Sequence, residues 1–107
     1  MTHLSTHVLD AVTGQPAVAV PVTLTDAAGA LVTQAVTDND GRIGSLAPED
    51  LSGVYRLTFD TAAYFVAQGI VGFYPEIVIA FEISDPAGKY HVPVLLSPYA
   101  YSTYRGS

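Results

Sequence analysis

Apolar and polar residues alternate along most of the chain, and clusters of Gly, Pro, Asp and Asn interrupt the alternation at short, regular intervals. A period of two puts successive side chains on opposite faces of an extended strand, so the pattern argues for an all-β protein. Leu4, Thr6 and Val8 alternate with Ser5, His7 and Leu9 until Asp10-Ala11-Val12-Thr13-Gly14-Gln15-Pro16 breaks the run. Val20, Val22 and Leu24 share a face opposite Pro21, Thr23 and Thr25, and the proline puts that strand at an edge or at its own start. Asp26-Ala27-Ala28-Gly29 predicts a turn into a strand over 31–37, and Asp38-Asn39-Asp40-Gly41 a second turn before a strand at Arg42. Tyr55, Leu57 and Phe59 then form one face of a strand over 54–60. Asp60 offers an N-cap, Ala62, Ala63 and Ala67 favour helix, and Gly69 sits where a left-handed C-cap belongs, which predicts one short helix over 61–68. Ile77, Ile79, Phe81 and Ile83 form a buried stripe, and Asp85-Pro86-Ala87-Gly88 predicts a hairpin into a strand carrying Tyr90, Val92, Val94 and Leu96 inward and Lys89, His91, Pro93 and Leu95 outward. A final strand starts at Tyr99.

Eight one-sided strands and one helix are buried most economically by two packed sheets, so the expected fold is an eight-stranded antiparallel β-sandwich, with a small barrel as the alternative. At 107 residues there is room for one domain, spanning 1–107, and seven tyrosines and four phenylalanines supply bulk for its core. Ten acidic side chains against four Lys and Arg argue against a nucleic-acid partner. No apolar run is long enough for a membrane helix, and Met1-Thr2-His3-Leu4 lacks the basic and apolar regions of a secretory signal. The expectation is an unexported protein, cytoplasmic in a bacterium, with no membrane partner. The absence of cysteine removes disulfides, thiolate catalysis and Cys-type zinc sites.

Candidate chemistry is sparse. His7 and His91 fall on the outward faces of their strands, in company with Ser5 and Lys89, where a single histidine is most often an ordinary surface residue. His3 and His7 share a strand face but stand roughly 13 Å apart, too far to clamp one metal ion, and no metal is expected. Asp38-Asn39-Asp40-Gly41 has the composition of a calcium loop, yet aligning Gly41 with the loop glycine puts Val36 and Ala47 at the terminal ligand positions; its role is to place Arg42 beside a tight turn. No Gly-x-Ser-x-Gly elbow is present, so water is the expected nucleophile of any hydrolytic chemistry. Val78 and Ala80, Pro93 and Leu95, and the tyrosines of the last strand suggest apolar patches covered by another subunit.

Three stretches together carry a resemblance: Leu4-Ser5-Thr6-His7-Val8-Leu9-Asp10, Asp40-Gly41-Arg42, and Tyr90-His91-Val92-Pro93-Val94-Leu95-Leu96-Ser97-Pro98-Tyr99 running on to the terminal Tyr104-Arg105-Gly106-Ser107. The chain resembles the 5-hydroxyisourate hydrolases, the transthyretin-related proteins, over essentially its whole length. The terminal Tyr-Arg-Gly-Ser is the most specific mark, because transthyretin shares the fold without that tail. The resemblance implies a transthyretin-like sandwich assembled as a homotetramer, a dimer of dimers, with active sites in clefts at the dimer–dimer interface. It implies a small purine derivative as substrate, no cofactor, His7, Arg42, His91 and Ser107 as catalytic residues, and Tyr104, Arg105 and Gly106 as substrate-binding residues. Ring opening of 5-hydroxyisourate needs a base for water, a donor for the developing oxyanion and a proton for the leaving nitrogen. On this reading His7 orients or deprotonates the water, His91 binds substrate or shuttles protons, Arg42 stabilises the anionic ring, and Arg105 and Ser107 bond the substrate or position the water; the division between the histidines stays open. Ala100 stands where glycine is common, and Ile70-Val71-Gly72 replaces a more polar stretch. A transthyretin-like carrier of an aromatic ligand and a sandwich interaction module are the rival readings; dependence on the tail separates the first, and tolerance of histidine loss the second.

Overall fold

Two sheets pack face to face in a computed structural model that describes residues 1–107. The strands are β1 (His3–Asp10), β2 (Gln15–Pro16), β3 (Pro21–Asp26), β4 (Leu31–Val36), β5 (Arg42–Ile43), β6 (Gly53–Phe59), β7 (Ile77–Ile83), β8 (Lys89–Ser97) and β9 (Ala100–Thr103), with helix α1 (Thr61–Gln68) between β6 and β7. One sheet runs β4-β3-β6-β7; the other runs β2-β1-β8-β9, with β5 also paired to β1 on the side of β2. Leu4 and Val8 of β1 and Val94 and Leu96 of β8 face Val22, Leu24, Leu57, Phe59, Ile77 and Ile83 of the opposite sheet, within one core cluster of 20 buried residues. Each such side chain contributes about 1.5–3 kcal/mol on burial, and with no cysteine in the chain this core holds the sandwich without a disulfide.

The expected faces are correct along β1, β3, β6 and β7, where burial alternates as the sequence pattern requires. Three connections differ from the expectation. β1 and β8 pair in parallel, whereas every other ladder is antiparallel. Alternation reports which face a residue takes but not the direction of its neighbour, and the whole second sheet and the helix lie between these two strands in sequence, ample for a parallel crossover. The turn at 85–88 forms, but β7 and β8 belong to different sheets, so it is a corner between sheets and not a hairpin. The turn at 38–41 likewise carries the chain from β4 in one sheet to β5 in the other. The ninth strand, β2, is two residues inside a stretch that reads as a loop because of its Gly and Pro. Pro93, expected outward, is buried, and Leu95 is half-buried, while Val78, Ala80, Tyr99, Tyr101 and Tyr104 are exposed as expected.

Helix α1 begins and ends where its caps predict. Asp60 Oδ1 accepts from the Ala63 N–H at 3.0 Å, and Gly69 takes φ 69°, returning its N–H to the last turn. Thr61, Tyr64 and Phe65 form its buried side. The Tyr64 hydroxyl donates to Asp10 Oδ2 at 2.8 Å and pins the helix to the end of β1. No helix is long and apolar enough to cross a membrane.

Candidate active site

β1 lies between β8 on one side and β2 and β5 on the other, so its outward side chains have neighbours on both flanks. The parallel register sets His3 beside Lys89, Ser5 beside His91 and His7 beside Pro93. On the opposite flank, β5 sets Arg42 against His7. Three short strand segments, distant in sequence, thus bring His3, Ser5, His7, Arg42, Lys89 and His91 onto one outer surface.

Arg42 is carried by the turn before β5. Asp38 Oδ1 accepts from the N–H groups of Asp40 and Arg42 at 2.9 and 3.0 Å, and these bonds hold its carboxyl below the usual carboxylate range. Gly41 has φ 73°, and a Cβ there would collide with the Val8 carbonyl, so only glycine lets this turn lie against β1. The only ion pair in the chain joins the terminal ammonium to Asp50, which leaves the Arg42 guanidinium without a carboxylate partner.

His91 is clamped on two sides. Ser5 Oγ and His91 Nδ1 are hydrogen-bonded at 2.8 Å. Gly106 donates its N–H to the His91 carbonyl at 2.8 Å and packs against the Cδ2 side of the ring: a Cβ on Gly106 would stand 2.5 Å from His91 Cδ2. Burial first, then the Arg42 guanidinium and His7, push the imidazole below its ordinary pKa, with the Ser5 carbonyl opposing them. These surroundings favour the uncharged ring.

A cavity of about 400 Å³ opens over this surface, lined by His3, Ser5, Arg42, Lys89, His91 and Ser107 among others. It concentrates cations on an acidic protein and suits an anionic ligand of small-molecule size. A second cavity of about 300 Å³ lies beyond the docked tail, lined by Tyr104, Arg105, Glu82 and apolar side chains of β7 and β8. Tyr90 and His91 border both. Arg105 stacks its guanidinium 4.8 Å from the centre of the Tyr90 ring.

Of the residues expected from sequence, Arg42, His91 and Ser107 meet at the first cavity, while Tyr104 and Arg105 line the second. Gly106 touches His91 and stands between the two groups. His7 flanks the first cavity without lining it, and its Nε2 donates to the Asp40 carbonyl at 3.0 Å. Sequence reasoning missed Ser5, His3 and Lys89 as members of the site. Their shared outward phase with His7 and His91 was visible, but the ladder register that joins them was not.

Residues 4–106 match the HIUase/Transthyretin family model. The chain belongs to this family. It is 47% identical over 109 residues to the 5-hydroxyisourate hydrolase of Salmonella typhimurium, covering 97% of this chain and 80% of that protein. The 5-hydroxyisourate hydrolase of Deinococcus radiodurans is 43% identical over 113 residues, covering 97% of this chain and 95% of that one. Among solved structures, the Klebsiella pneumoniae 5-hydroxyisourate hydrolase superposes with TM-score 0.90 at 39% identity, over 100% of this chain and 94% of that chain. Sea bream transthyretin in complex with thyroxine superposes with TM-score 0.87 at 34% identity, over 96% and 93% of the two chains. The protein is a transthyretin-like β-sandwich and an enzyme of the hydrolase class.

Proposed function

We propose that the protein hydrolyses 5-hydroxyisourate to 2-oxo-4-hydroxy-4-carboxy-5-ureidoimidazoline, a step of urate catabolism. The observation that carries this reading is the meeting of His91, an Arg42 without a carboxylate partner and Ser107 at one cavity. Water adds to the ring carbonyl: a C–O bond forms, the C–N bond breaks, and one proton passes from the water to the departing nitrogen. His91 accepts and returns that proton, a task suited to a group titrating on the acid side of neutrality. Arg42 neutralises the anionic ring and the oxyanion that develops on it. Ser107 bonds the water or the ring, and Tyr104 and Arg105 complete the binding surface from the far side of the tail. His7 holds the Asp40 carbonyl and with it the turn that presents Arg42, which favours a supporting place for His7 and the proton-transfer place for His91. The reaction uses no cofactor.

The working form is a homotetramer, a dimer of dimers with the clefts at the dimer–dimer interface. The exposed Val78, Tyr99, Tyr101 and Tyr104 of a single chain support this assembly. Generating 5-hydroxyisourate from urate with urate oxidase and following its ultraviolet decay tests the reading. The protein should speed the decay, and a chain truncated after Tyr104 should not. Acceleration that survives the truncation would overturn the assignment of the tail, and no acceleration by the intact protein would favour a transthyretin-like carrier.

A further inference from the structure

A histidine can take or give a proton on demand only if one ring nitrogen is held and the other is free, because the partner of the first selects the tautomer of the second. His91 meets this condition. Nδ1 is hydrogen-bonded to Ser5 Oγ at 2.8 Å, the Cδ2 edge is walled by the bare backbone of Gly106, and Nε2 has no protein partner while the ring borders the cavity. Neither contact is local in sequence. The first arises from the parallel pairing of β1 with β8, the second from an isolated bridge between Gly106 and His91.

We infer that Ser5 and Gly106 are positioning residues for His91: the Ser5 hydroxyl accepts from Nδ1–H, Gly106 fixes the ring plane, and the Nε2 lone pair is left facing the substrate as the proton acceptor. This rests on the hydrolase reading above and assigns to Ser5 a part in it. A serine hydroxyl can accept from Nδ1–H or donate to a bare Nδ1, and the inferred direction is the one that leaves the lone pair on the unpartnered Nε2. Ser5 Oγ makes no other hydrogen bond within the chain, so its own hydrogen is free to point into the cavity. Free imidazole prefers its hydrogen on Nε2, and the clamp therefore holds the rarer tautomer. Gly106 completes the arrangement sterically. Any side chain there must displace either the imidazole or the tail that carries Ser107.

Nitrogen-15 NMR of the intact protein at neutral pH reads the tautomer without substrate. The wild-type His91 signals should show Nδ1 protonated and Nε2 bare. In Ser5→Ala the Nε2–H form should gain population, kcat on 5-hydroxyisourate should fall by about 10- to 100-fold, and KM should change little, as expected when a group that orients a reacting residue is removed. Ser5→Thr, which keeps the hydroxyl and suits a strand, should restore the wild-type tautomer and most of the rate. Unchanged chemical shifts elsewhere report that each variant is folded. A wild-type ring protonated at Nε2, or a Ser5→Ala variant with unaltered tautomer and kcat, would overturn the inference. A wild-type ring protonated at Nδ1 and shifted by Ser5→Ala, in a protein that does not speed 5-hydroxyisourate decay, would sustain the clamp and reject the hydrolase reading.

Discussion

The two ends of β1 carry two polar networks with opposite characters. At the C-terminal end, Asp10 is buried and saturated: Oδ1 accepts from the N–H groups of Val12 and Thr13 at 2.9 and 3.1 Å, and Oδ2 from the Tyr64 hydroxyl. No partner is left for a ligand, and the network ties strand, loop and helix together. Nearer the N-terminal end, Ser5 and His91 are half-buried, bonded to each other once, and open onto a cavity with Arg42 and Ser107. One strand thus supplies both an anchor and a working surface, and what separates them is whether every polar atom has a partner. Buried groups left unpaired cost stability, so a fold keeps unpaired donors and acceptors where a ligand will complete them.

Substitutions at the open end should cost activity and spare the fold, and substitutions at the closed end should do the reverse. The largest effect is expected for His91→Asn, which removes the proposed proton acceptor: turnover should drop by about 100- to 10,000-fold while the far-ultraviolet circular dichroism and melting temperature stay near wild type. Arg42→Ala should follow with a loss of about 100- to 1,000-fold, as for removal of an oxyanion donor. Unfolding of either variant under assay conditions would break the comparison. Asp10→Ala leaves two N–H groups and the Tyr64 hydroxyl short of an acceptor and should cost about 1–3 kcal/mol of stability in urea denaturation. Its kcat per folded molecule should be unchanged, and a large drop would show that the closed end reaches the chemistry.

Two pH experiments sharpen the contrast further. Burial, Arg42, His7 and His3 all hold His91 below its ordinary value of 6.5, with only the Ser5 carbonyl opposing them. The acid limb of kcat/KM should therefore fall below pH 6.5, and in Arg42→Gln it should move part of the way back up, since burial remains. A limb at or above pH 6.5 in the wild type would remove His91 as the titrating base. Tyr64 is pushed up to about 12 by burial, then by its bond to Asp10 and the charge of that carboxylate. Its pKa is raised on folding, so the stability linked to its proton is fully present below pH 10 and fades as the pH rises towards 12. Tyr64→Phe should lose that part of the alkaline dependence and leave the acid limb of activity unmoved.

Much of the fold can be read from local chemistry because its signals are local. Asp60 and Gly69 bracket α1, and the alternation of Ile77, Ile79, Phe81 and Ile83 marks the inward face of β7. Partnership is different. Nothing near Asp85 to Gly88 says that the strands on either side enter different sheets, since both bury their stripes in the same core whichever way the turn is made. The site divides along the same line. His7, His91 and Arg42 stand out as scarce, outward residue types, and the tail through its resemblance to a known family. Ser5 is a common residue whose place depends on a parallel register between strands separated by most of the chain. Gly106 enters from the sequence only as a substrate-binding residue implied by the resemblance, but its missing side chain is what lets the tail seat against His91.

The proposed action of His91 in the hydrolysis of 5-hydroxyisourate is open to one direct measurement. Urate oxidase supplies that compound in place, and its ultraviolet decay is followed with wild-type protein and with His91→Asn at equal folded concentration. Rapid decay is expected with the wild type and a rate near the uncatalysed one with the variant. Equal acceleration by both, or none by folded wild-type protein, would contradict it.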